Sequence, residues 1–281
     1  MDPFVFTAVL VAAACHAGWN ALLKMKVAPV VATVLVAVAS GVLVLPLLVF
    51  TPVPAPAAWL YVLASVLIHV VYFVTLAEAY RWGDLTQVYP IARGTAPLLT
   101  AALATLWLNE ALGLAGWAGV IVLATGILLL TFKGGRPLAT FAGRAVGFAL
   151  ATSLTITAYT LVDGIGARLA GSALAYTVWL FIGDGIAMAI YGWLRVGSSL
   201  VGDFKTHWRM ALAGAALSTA AYAIAIWAMT VAPIALVAAL RETSVLFAAV
   251  FGTVLLREPM LPIRLVAACL VLAGALLLRV R

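Results

Sequence analysis

Arg93, Arg241 and Glu242 stand in stretches where nearly every neighbour is apolar. An ionisable side chain at membrane depth costs at least about 2.5–3.5 kcal/mol on insertion scales, so each needs a partner or a task. A guanidinium stays charged and offers paired N–H donors that match a carboxylate, phosphate or phosphonate. Two such groups facing one cavity would recognise a small anion. The competing reading is that each arginine pairs internally with a carboxylate or with carbonyls of a neighbouring helix. Glu242 follows Arg241 directly, but adjacent residues on a helix point about 100° apart, so the two need not pair.

The other polar residues in apolar surroundings are His16, Asn20, His69, Glu78, Asp163 and Asp184. A carboxylate shielded from water can exchange a proton near neutrality, which makes Glu242 and Glu78 candidates to carry a coupling proton. His16 could shuttle one as well. Each has a plainer alternative: Glu78 can pair with Arg81 at a helix end, and His16 can donate to a carbonyl. Around Arg93 lie Gln87, Tyr89, Pro90 and Pro97. Proline removes a backbone donor and leaves the carbonyl one turn earlier unpaired, so Gln87 and Tyr89 either line a wet cavity or flank a packing kink.

Signatures of soluble chemistry are absent. The sequence has no HExxH, no GxSxG and no Gly-rich loop followed by Lys-Ser/Thr. No metal or cofactor is therefore expected, and any transport would not be driven by a fused ATPase. Ile182-Gly183-Asp184-Gly185 slightly resembles an intramembrane aspartyl protease motif, but Phe181 occupies the place of its upstream glycine. Cys15 and Cys269 both fall in apolar runs and read as small core residues.

The elements that must position these groups follow from composition. Hydrophobic residues make up 66% of the 281 and charged residues only 9%, against about 25% charged in a soluble domain. Too little polar surface remains to coat a water-soluble globule, whereas lipid solvates apolar side chains directly. The net charge of +7 would suggest nucleic acid in a soluble protein. Here most Lys and Arg sit in short segments between apolar runs, where they set orientation and meet lipid headgroups, so no nucleic-acid partner is expected. The opening segment carries Asp2 and no Lys or Arg before its apolar run, which predicts an uncleaved first helix rather than a signal peptide.

Cutting at charges and Gly/Pro clusters predicts ten membrane helices, since each needs about 20 apolar residues. They cover 4–23, 30–50, 58–80, 85–107 and 114–132, then 145–166, 172–194, 208–230, 233–256 and 262–279. The polar interruption from Lys133 to Pro137 divides them into five and five, which gives two units, 1–135 and 136–281. Five crossings is an odd number, so two related halves would lie in the membrane with opposite orientation as an inverted repeat. The sequence supports a repeat. Arg93 and Arg241 are 148 residues apart, as are Thr95 and Thr243, and Glu110 and Glu258; Asn20 and Asp163 match more loosely at 143. Loop charges place about eleven Lys/Arg opposite the termini and about three beside them, which would put both termini outside.

The run His16-Ala-Gly-Trp-Asn20, the stretch from Tyr89 through Arg93 to Pro97, and the segment Val237-Ala-Ala-Leu-Arg241-Glu-Thr-Ser244 together resemble EamA-like members of the drug/metabolite transporter superfamily. Glu110 and Glu258, which close helices 4 and 9, fit the same pattern, and the resemblance spans essentially the whole chain. It implies a ten-helix inverted-repeat fold working by alternating access around a central cavity. It also implies termini in the cytoplasm, against the loop charges, and cavity residues that include Asn20, Arg93, Asp163 and Arg241. The expected protein is an all-α multi-pass transporter of a small polar, anionic metabolite in a bacterial inner membrane, in contact with lipids and able to form a homodimer. A non-transporting scaffold or receptor, and an intramembrane enzyme, are the alternatives.

Overall fold

The computed structural model describes residues 1–23, 28–83, 85–130, 143–254 and 262–279, and these are helical almost throughout. The first half contains α1 (Pro3–Leu23), α2 (Pro29–Val44), α3 (Trp59–Trp82), α4 (Leu85–Leu108) and α5 (Gly113–Leu129). The second contains α6 (Gly143–Leu169), α7 (Ala173–Val196), α8 (Ser199–Val231), α9 (Ile234–Arg241), α10 (Ser244–Val254) and α11 (Pro262–Arg279). Helices α9 and α10 together make one span, so the described residues supply nine spans long and apolar enough to cross a bilayer, and the shorter α5 makes ten. The fold is an all-α membrane fold, as the apolar runs predict. A helix satisfies every backbone polar group within itself, which an apolar solvent demands.

Helix starts follow local chemistry. Pro29 and Pro262 begin α2 and α11, where a missing N–H costs nothing. Asp2 accepts the Phe4 N–H at 2.8 Å, and Ser172 accepts that of Ala175 at 3.2 Å, capping α1 and α7. Leu60, Leu63, Leu67 and Val71 repeat along one exposed face of α3. Such a stripe suits lipid and would be an aggregation hazard in water.

The packing shows a two-fold relation between the halves. Helix α1 lies against α8, and its counterpart α6 lies against α3; α1 also meets α9 and α10, as α6 meets α4. Two further pairs map onto themselves, α2 with α7 and α5 with α11. Glycines set both of these crossings, because lipid-embedded helices associate through close backbone approach. A Cβ on Gly41 of α2 would lie 3.2 Å from Gly185 Cα of α7, and one on Gly274 of α11 would lie 2.6 Å from Leu123 N of α5.

Two expected spans need correction. The helix expected over 208–230 starts at Ser199, because an extra segment precedes the span and joins it across non-helical backbone at His207 (φ −114°, ψ 15°). The helix expected over 233–256 is interrupted after Arg241. There the backbone tightens: Glu242 N donates to Ala239 O, Thr243 N to Leu240 O, Val245 N to Glu242 O and Leu246 N to Thr243 O, all three-residue bonds. A 3-10 turn inside a helix rotates the residues beyond it and often marks a functional position. Helix α4, by contrast, remains continuous through Pro90 and Pro97. The segment Lys133–Pro137 and Glu258 lie outside the described residues.

Candidate functional site

The interrupted span brings Glu242 against the first half. Its Oε2 lies 2.9 Å from Arg93 Nε, with Arg93 only 4% and Glu242 only 5% exposed. The pair joins α4 of one half to the α9–α10 turn of the other. Neither atom completes a hydrogen bond of normal geometry despite the short distance, so attraction between the charges carries the contact. The guanidinium also reaches α1, where Nη2 lies 2.9 Å from His16 Nε2. The other ring nitrogen, Nδ1, faces the Trp19 N–H at 3.3 Å. A neutral imidazole bares only one nitrogen, and the charged donor has the stronger claim on it. His16 therefore accepts from Arg93. Tyr89 lies one turn before Arg93, its ring 5.8 Å from the guanidinium. The side-chain amide of Asn20 donates to His16 O at 2.8 Å, so it turns back along α1.

Arg241 is in the opposite situation. Among the described residues it has no carboxylate within ion-pair distance, and its guanidinium sits 5.0 Å from the centre of the Tyr222 ring of α8. A cation over an aromatic face gains about 0.5–2 kcal/mol, and its N–H edge stays available to another acceptor. The Tyr222 hydroxyl points away from Arg241 and donates to Asp163 Oδ2. Tyr176 of α7 donates to Asp163 Oδ1 at 2.9 Å. Asp163 on α6 is 0% exposed. A third, half-buried pair completes the centre: His69 Nδ1 of α3 lies 3.3 Å from Asp184 Oδ2 of α7, with the His69 ring against Tyr159 at 4.5 Å.

A small cavity opens between these groups, lined by Arg93, Pro97, Tyr159, Thr160, Arg241 and Glu242 among others. Its free space of about 10 Å³ holds roughly one water molecule. Metabolite pockets run to about 300–1,000 Å³, so helices must separate before a solute can enter.

Five of the candidate residues thus meet at the centre: His16, Arg93, Asp163, Arg241 and Glu242; Asn20 lies one turn beyond His16 on α1 and bonds back to its carbonyl. Tyr89 flanks them. Gln87 lies on α4, but its side chain falls outside the described residues. Glu78 lies away from them near the end of α3, 3.7 Å from Arg81 in an exposed i,i+3 pair. Sequence reasoning missed Tyr222, Tyr159 and Tyr176. A tyrosine in an apolar run reads equally as an interface anchor or as packing, and only its repetition on α6, α7 and α8 could have raised the question.

A second polar group lies at the end of α4. Asn109 takes φ 52° there, which turns the chain out of the helix. Glu110 Oε1 then meets Arg168 Nη2 of α6 at 2.7 Å, and Arg168 also donates to Met229 O at 2.8 Å and Ala232 O at 3.1 Å. The Ala235 N–H, at the start of α9, donates to Glu110 Oε2 at 3.4 Å. This latch ties the first half to the ends of α6, α8 and α9.

Ten apolar crossings among the described residues, in two packed sets with ionisable groups gathered where the sets meet, define an integral multi-pass membrane protein. The chain belongs to the EamA-like transporter family, whose model matches residues 3–132 and again 143–280. Members of that family are transporters rather than enzymes. The fold is also that of a protein of known crystal structure, at a TM-score of 0.75 and 16% identity, with 98% of this chain and 94% of that chain covered. At that identity the likeness is one of fold. No curated protein matches the sequence.

Proposed function

We propose that this transporter moves a small polar anion across a bacterial inner membrane by alternating access, without ATP, and that Arg241 recognises the anion. The observation that carries this reading is the contrast between the two arginines. Arg93 is held by Glu242, whereas Arg241 lines the central cavity with no carboxylate in ion-pair range among the described residues. A half-buried cation without an ion-pair partner is costly within a membrane, and a solute that supplies the negative charge relieves that cost while it is bound. Arg93 lines the same cavity, and a substrate carboxylate or phosphate can accept from its remaining N–H groups while Glu242 stays beside it. The two halves, 1–135 and 136–281, act as the units that rock around the site.

Thermal-shift measurements on purified protein, against organic acids, amino acids, phosphonates, sugar phosphates and sulfate, test this. A ligand at a hundred times its Kd stabilises by about 2.7 kcal/mol. At least one anion should raise the melting temperature of the wild type, and the rise should vanish in Arg241→Ala. Stabilisation by none of them, or an undiminished response in Arg241→Ala, would refute the assignment.

A further inference from the structure

We propose that Asp163 takes up one proton when an anion binds beside Arg241, so that solute and proton cross together. The inference rests on the anion reading above and adds a second ligand, the proton, at a site of its own.

The charges inside the bundle form two pairs and leave two groups over. Arg93 faces Glu242, and His69 faces Asp184. With His69 protonated, both pairs are neutral. Arg241 and Asp163 remain, one on each side of Tyr222: the cation lies over its ring and the carboxylate accepts from its hydroxyl. Three positive and three negative groups therefore balance across the centre. Asp163 has no cation within ion-pair distance among the described residues and is held by the hydroxyls of Ser65, Tyr176 and Tyr222. His69 is the cation whose charge acts on it, and Arg241, beyond the Tyr222 ring, offsets the last negative charge in the sum over the centre.

An anion at Arg241 removes that offset. The low-dielectric centre then holds one negative charge too many, and isolated buried charge is what such surroundings penalise most. An aqueous proton entering with the solute restores neutrality by forming an O–H bond on one Asp163 oxygen; no other bond in the protein is made or broken. The acid's new O–H needs an acceptor. A tyrosine hydroxyl can donate or accept, so Tyr222 or Tyr176 turns and receives it.

The groups facing Asp163 make it the place for the proton. Ser65 of α3, Tyr176 of α7 and Tyr222 of α8 bond to it, and the charge of His69 of α3, already against Asp184, acts on it; the other titratable groups on the helices packed against α6 are Tyr72 of α3, Arg93 of α4, already against Glu242, Asp184 of α7, and Arg241 of α9, with Glu242 just beyond. Tyr159 lies one turn before it on α6 itself. Glu242 and Asp184 each keep a cationic partner when the anion arrives. Asp163 is the buried carboxylate without an ion-pair partner of its own among the described residues.

Isothermal titration of the purified protein in buffers of different ionisation enthalpy counts the protons taken up. The probes are glycolate, pyruvate, lactate and methanesulfonate, monoanions that do not titrate between about pH 6 and 8. The wild type should bind at least one probe with uptake of close to one proton, and its affinity should rise up to tenfold for each unit of falling pH. In Asp163→Asn the affinity should be flat with pH, whatever its value. Tyr222→Phe keeps the ring under Arg241 and removes one hydroxyl from Asp163, so it should change the pH range of uptake even if Asp163→Asn fails to fold. Binding that depends on Arg241 but takes up no proton would overturn this inference and leave the anion site intact. Proton uptake that persists in Asp163→Asn, or a pH profile unchanged in Tyr222→Phe, would also overturn it. If none of the probes binds, the anion site falls and the proton site falls with it.

Discussion

Arg93 and Arg241 are separated by the same 148 residues as Thr95 and Thr243, yet their electrostatic surroundings are opposite. Arg93 is clasped by Glu242 and His16, and Arg241 rests on an aromatic ring. The two should fail differently. Arg93→Ala leaves a carboxylate in the interior without its cation, a change that costs about 3–5 kcal/mol when a buried pair is broken from one side. Detergent-solubilised Arg93→Ala should therefore melt well below the wild type. Adding Glu242→Gln to it should recover most of the loss, since the uncompensated charge disappears. Equal melting temperatures for the single and double variants would show that the pair contributes nothing special. Arg241→Ala should disturb folding less than Arg93→Ala, because it strands no carboxylate in ion-pair range.

At the scale of elements, the two self-related crossings depend on close backbone approach. Gly274→Ala would place a methyl group 2.6 Å from Leu123 N, so α5 and α11 must move apart along the crossing. Its melting temperature should fall, while Gly147→Ala, with open space around its Cβ, should leave stability within about 0.5 kcal/mol of the wild type. The latch on Glu110 acts on a different set of elements. Arg168→Ala frees the carbonyls of Met229 and Ala232 and loosens the hold of Glu110 on the start of α9. Hydrogen exchange of residues 229–240 should accelerate in that variant, with little change in α2 and α7.

For the whole molecule, the small cavity implies that the described arrangement is a closed one and that the halves must move to admit a solute. The alternating-access cycle proposed above would require the Glu110–Arg168 latch to break once per turnover, since it joins the two halves at one end of the bundle. Cysteines placed at 110 and 168, joined by a short thiol cross-linker, should stop solute flux in proteoliposomes. A reducible cross-linker should allow flux to return on reduction. Undiminished flux in fully cross-linked protein would show that this contact is static during transport. The same two-half construction explains why the family match falls in two stretches, 3–132 and 143–280.

The amino-acid sequence alone determined the solvent and the element count: apolar runs of bilayer length can be read one residue at a time, and they gave helices close to every observed one. It also marked which polar residues sit too deep to be idle, and the repeated spacing exposed the two halves. Tertiary structure decided the rest, because those outcomes depend on partners far apart in the chain. Nothing at Glu242-Thr243 is a Pro or Gly that announces an interrupted helix, and the carboxylate turned there meets an arginine 149 residues earlier. Likewise no local pattern reveals that Tyr176 and Tyr222 converge on Asp163 from two other helices. Hydrophobicity is a property of each residue in turn, whereas the pairing of buried charge is a property of the folded whole.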